Sequence, residues 1–87
     1  MVRLTAFVKG SVQGVGFRWW TRSRALELGL VGSATNLVDG RVQVVVEGPE
    51  PACRELLALL RAGPGRVDFV AERWGSARGD LRGFVER

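Results

Sequence analysis

Gly10-Ser11-Val12-Gln13-Gly14-Val15-Gly16-Phe17-Arg18 places three glycines within seven residues and closes on an arginine. Glycines at 10, 14 and 16 let a backbone wrap closely around a tetrahedral group, because no Cβ intrudes and unusual φ values cost little. Where such a loop leads from a strand into a helix, the helix start presents N–H groups without internal partners, and its dipole favours an anion. Arg18 stands at that helix start, where a lone cation is disfavoured by about 0.3–1 kcal/mol, so its position calls for an offsetting anion. Its planar guanidinium can donate two parallel bonds to phosphoryl oxygens. An exposed arginine paired with a nearby carboxylate would satisfy the same position.

Several other chemistries are excluded by residue type. No Gly-Lys-Ser/Thr follows the glycines, so the loop is not a Walker A motif, and the glycine spacing is not that of a Rossmann fingerprint. The chain has no histidine, which removes the usual general base and the usual partner of a nucleophilic Ser or Cys. A metal site would need carboxylates alone, and a zinc enzyme is excluded in practice. Cys53 is the single cysteine, so no intrachain disulfide forms; it does not begin the Cys-x5-Arg pattern of a cysteine phosphatase, and it reads as a buried core thiol.

The elements that must position this loop follow from the patterning. Val2, Leu4, Ala6 and Val8 alternate with polar residues, predicting a strand over Val2 to Lys9 that only Phe7 interrupts. After the Gly10 to Gly16 loop, Phe17, Thr21, Ala25 and Leu28 share one face of a helix that Gly29 stops. Leu30 to Val38 and Arg41 to Glu47 flank Asp39-Gly40, which suits a tight two-residue hairpin. Pro49 and Pro51 fit the first turn of a second helix, with Cys53, Leu56, Leu57 and Leu60 on its apolar face and Gly63-Pro64-Gly65 as its end. Val67, Phe69 and Ala71 then alternate with Arg66, Asp68 and Glu72 in a further strand; Gly75 to Gly83 reads as polar loop, and Phe84-Val85-Glu86 as a short edge strand.

The order is βαββαβ with a small C-terminal appendix, the ferredoxin-like α+β sandwich with two helices on one face of a mainly antiparallel sheet. Residues 1–87 are expected to form a single domain. Apolar residues make up 46% and charged residues 25%, a balance suited to a folded globular chain. No apolar run is long enough for a membrane helix, and the start lacks signal-peptide character, so a cytoplasmic protein is expected. Twelve arginines and one lysine give a net charge of +4, but they are scattered among acids rather than gathered in a nucleic-acid stripe.

The Gly10 to Arg18 segment resembles the first signature of the acylphosphatase family, a Gly-x-Val-Gln-Gly-Val-x-Phe/Tyr-Arg pattern. Gly32, Asn36, Gly40 and Val42, with Gly48 closing the pattern, resemble the second. The resemblance extends from about Arg3 to Glu86 and agrees with the βαββαβ order. Ser33 and Thr35 depart from it, standing where the family commonly has an aromatic and a basic or long side chain.

The resemblance implies hydrolysis of carboxyl phosphates such as acetyl phosphate or 1,3-bisphosphoglycerate, without metal or cofactor, by a monomer for which inorganic phosphate or sulfate is a product-like ligand. It implies that Arg18 and N–H groups of the loop, Ser11 to Phe17, hold the phosphoryl oxygens, and that Asn36 orients the attacking water. Taken alone, Asn36 reads first as a turn former before Asp39-Gly40, and the Arg18 loop together with the spacing reverses that order. An RNA-binding module shares the element order, but the strand Arg41 to Val46 carries no aromatic on which a base could stack, leaving only Phe7 on the first strand. No nucleic-acid or membrane partner is therefore expected. A resembling domain binds carbamoyl phosphate at the front of hydrogenase-maturation carbamoyltransferases; a chain standing alone is expected to act by itself.

Overall fold

Alternation and helical periodicity produce the expected elements in the expected order. The computed structural model describes residues 1–87: β1 (Val2–Ser11), α1 (Phe17–Glu27), β2 (Val31–Asn36), β3 (Val42–Gly48), α2 (Glu50–Leu60), β4 (Arg66–Ser76) and β5 (Phe84–Glu86). The sheet order is β4-β1-β3-β2-β5. Its pairings are antiparallel except that of β2 with β5, which is parallel. Both helices cover one face, α1 over β2 and β5, α2 over β1 and β3. This is the ferredoxin-like α+β sandwich with an added edge strand.

The core lies between that face and the helices. Leu4, Ala6 and Val8 of β1 and Val42, Val44 and Val46 of β3 are fully buried, meeting Phe17, Thr21 and Ala25 from α1 and Cys53, Leu56, Leu57 and Leu60 from α2. Each such Leu or Val contributes about 1.5–3 kcal/mol through the apolar surface it removes from water. Cys53 belongs to this layer, as its place on the apolar stripe predicts, and burial pushes its thiol above the usual cysteine range.

Three local expectations are corrected. The β2–β3 turn is not a two-residue hairpin: Leu37 N–H donates to Arg41 O at 2.8 Å, leaving Val38, Asp39 and Gly40 as the loop. Asp39 holds this longer turn, since Oδ1 accepts from Arg41 N–H at 3.1 Å and Oδ2 from Arg41 Nε at 2.8 Å. In β4, Val67, Phe69 and Ala71 do not share a face. Lys9 pairs with Phe69 and Gly10 with Val67, so Asp68 is an extra residue that shifts the register. Val67, Val70 and Trp74 therefore pack on the core, while Phe69 is 63% exposed. Finally, β1 continues past Lys9 to Ser11, and β4 includes Gly75 and Ser76.

Candidate active site

β1 ends at Ser11, and the chain turns through Val12 to Gly16 into α1. Gly14 and Gly16 hold φ of 77° and 82°, where an L side chain costs about 1–2 kcal/mol. Gly16 is the N-cap of α1, with no side chain capping the helix and no acidic residue in its first turn. Trp20 N–H donates to Gly16 O at 2.9 Å, whereas the backbone N–H groups from Gln13 to Trp19 donate to no backbone carbonyl. A row of free donors thus coincides with the positive end of a helix that carries no anion of its own.

Gly14, Gly16, Phe17 and Arg18 from this junction, with Val12 and Trp19, line a cavity of about 90 Å³ completed by Asn36 of β2 and Glu86 of β5. Arg18 enters no ion pair with an Asp or Glu side chain. Its Nη1 donates instead to the main-chain oxygen of Arg87 at 3.0 Å. Arg87 is itself tied to β2: its N–H donates to Ala34 O at 2.7 Å, and Asn36 N–H reaches its oxygen at 3.5 Å. The guanidinium is therefore braced by main chain at the end of β5.

Asn36 pairs with Val42 as the last residue of β2, outside the three-residue turn. Its Oδ1 is buried and accepts no hydrogen bond. A buried acceptor without a partner is costly and calls for a reason. Here it borders the cavity that Arg18 lines.

The expected loop residues divide by position. Val12, Gly14, Gly16 and Phe17 border the cavity; Ser11, Gln13 and Val15 do not. Gln13 Nε2 instead donates to Leu37 O at 2.7 Å and Arg41 O at 3.0 Å, tying the loop to the hairpin that carries Asn36. Val15 is exposed, and Ser11 closes β1 beside Arg66. Ser33 and Thr35 alternate with Ala34 and Asn36 along β2, so their side chains project from the opposite face of the sheet. The tryptophans have three settings. Trp19 is 62% exposed at the cavity. Trp20 packs on Phe17 with ring centroids 5.7 Å apart. Trp74 lies beneath the Arg54 guanidinium at 4.6 Å.

Glu86 and Arg87 were not singled out from the sequence as site residues. The pattern Phe84-Val85-Glu86 signals a short strand, but nothing in three residues says that it runs parallel to β2 and ends beside Arg18. A larger depression, about 580 Å³, opens around Phe7 and Phe69 on the uncovered sheet face. It contains neither Arg18 nor Asn36, and its arginines Arg41 and Arg66 are paired with Asp39 and Asp68. The 90 Å³ cavity is the one where unpaired loop N–H groups, the braced Arg18 guanidinium and an unpartnered acceptor meet.

Architecture and cavity together define a ferredoxin-like sandwich with an anion-friendly helix start at one end of its sheet. The acylphosphatase family model matches residues 4–85. The chain is 69% identical over 88 residues to the acylphosphatase of Thermobifida fusca, covering 99% of this chain and 97% of that protein. It is 67% identical to that of Rhodococcus jostii, with both chains covered in full. The crystal structure of acylphosphatase from Bacillus subtilis superposes with a TM-score of 0.95 at 29% identity, covering 100% of this chain and 99% of that one. The chain belongs to the acylphosphatase family, hydrolases of acyl phosphates.

Proposed function

We propose that the cavity between the glycine loop and the end of β2 is where an acyl phosphate is hydrolysed. Loop N–H groups and the Arg18 guanidinium hold the phosphoryl oxygens, and Asn36 Oδ1 accepts a hydrogen bond from the attacking water. The water oxygen forms a bond to phosphorus, the bond from phosphorus to the acyl oxygen breaks, and the carboxylate leaves with the electron pair. A phosphoryl oxygen takes the water proton. A carboxylate is a good leaving group, so positioning and charge stabilisation suffice, and this chemistry asks for neither a strong base nor a metal. The protein works as a monomer in this reading.

The observation that carries the proposal is the meeting of unpaired loop N–H groups, Arg18 and the unpartnered Asn36 Oδ1 around one small cavity. The test is hydrolysis of benzoyl phosphate beside a simple phosphate monoester, with and without excess EDTA. Rapid hydrolysis of benzoyl phosphate alone, unaffected by EDTA, is expected. Equal rates on both substrates, or a need for added divalent metal, would contradict the mechanism.

A further inference from the structure

Glu86 puts a charge at the cavity that the chemistry above does not use. It pairs with Ala34 in the parallel register of β2 and β5. Two residues after buried Phe84, it projects from the same face as Phe84, where Ala34 and Asn36 also point. It is exposed, lines the cavity with Arg18 and Asn36, and enters no ion pair. Arg18 is the one cation of that lining and Glu86 the one anion, yet Arg18 is directed to the Arg87 oxygen instead.

The size of the cavity gives this charge a consequence. The cavity is small, about 90 Å³ against about 580 Å³ for the depression on the uncovered sheet face, so a phosphoryl group seated among the loop N–H groups leaves its acyl group directed towards the opening. An acyl group must then extend outward along the rim, where exposed Glu86 and Trp19 lie. A carboxylate at the rim repels an acyl group that carries its own negative charge and leaves a neutral one unopposed. For charges roughly 7 Å apart at an effective dielectric of about 20, Coulomb repulsion screened over a Debye length of about 8 Å disfavours the anionic acyl group by about threefold to tenfold, and added salt weakens it further.

We propose that Glu86 is a specificity-determining residue that turns this enzyme towards acyl phosphates with an uncharged acyl group and against those bearing a second carboxylate or phosphate. This rests on the reading of the cavity as the phosphoryl site. On that basis acetyl or butyryl phosphate is a better substrate than succinyl phosphate or 1,3-bisphosphoglycerate.

The test compares kcat/KM for butyryl and succinyl phosphate, which match in length and differ by one carboxylate. The wild-type ratio should favour butyryl phosphate and narrow as salt is raised. Glu86→Gln should lower the ratio about threefold to tenfold, and Glu86→Lys should lower it further. A ratio unmoved by salt and by both substitutions, with both substrates still hydrolysed, would overturn the role of Glu86 and leave the phosphoryl site standing. If wild type hydrolyses neither substrate, the phosphoryl-site reading falls, and this proposal with it. The salt series on wild type decides the matter even where a variant folds poorly.

Discussion

Arg18 owes its direction to a main-chain oxygen, Arg87 O at 3.0 Å from Nη1, and the proposed chemistry asks the rest of its fork to meet phosphoryl oxygens. An ammonium keeps the charge and loses the fork, so Arg18→Lys should reduce kcat/KM for benzoyl phosphate more than about tenfold. Activity near wild type in the lysine variant would make Arg18 a plain counter-charge. Asn36 is assigned to water through Oδ1, the buried acceptor without a partner. Asn36→Ala should therefore lower kcat far more than it weakens inhibition by inorganic phosphate; a parallel loss of both would reassign Asn36 to phosphate binding. The glycine loop and Arg18 were legible in the sequence because glycine spacing and a cation at a helix start are local signals. The brace from Arg87 was not, since it joins Arg18 to a residue 69 positions away through an edge strand.

Elements were legible where one face is buried and less so where a side chain or an extra residue resets the geometry. The helices kept their expected faces because α1 and α2 each bury one stripe. The hairpin opened to three residues because Asp39 holds Arg41 through two bonds, and β4 turned Phe69 outward because Asp68 is one residue too many for the register. Neither effect alters composition or period enough to be read beforehand. A similar side-chain device secures the segment after β4. Buried Glu47 accepts from Arg78 N–H at 3.0 Å and Gly79 N–H at 3.1 Å, with Arg3 at 3.3 Å. The bond from Arg78, then those from Gly79 and the charge of Arg3, outweigh burial and hold this carboxyl below its ordinary value of 4.5. A depressed carboxyl stabilises the fold above its unfolded pKa, and that contribution disappears as pH falls through the folded value. Acid below the ordinary carboxylate range should therefore release residues 78 and 79, and Glu47→Gln should weaken their hold at neutral pH. Amide hydrogen exchange at Arg78 and Gly79 reads both effects; protection unchanged by acid and by the substitution would refute the tether.

The βαββαβ order was legible across the whole molecule because periods of two and of 3.6 alternate cleanly along the chain. The parallel pairing of β5 with β2 was not, since β5 has three residues and buries only Phe84. That pairing completes the cavity, which draws on the loop after β1, the start of α1 and the ends of β2 and β5. A site assembled from so many elements should couple its ligand to the stability of the entire fold. Inorganic phosphate, binding the native state and not the unfolded chain, should stabilise the protein by about 2.7 kcal/mol at a hundredfold excess over Kd. For a domain of this size the melting temperature should rise on the order of ten degrees. Chloride at matched ionic strength controls for screening. The measurement that bears most directly on the proposed site is this phosphate-induced shift in wild type, Arg18→Ala and Asn36→Ala. The shift should nearly vanish in Arg18→Ala and survive in Asn36→Ala; a full shift in both variants would place the phosphate elsewhere and contradict the site.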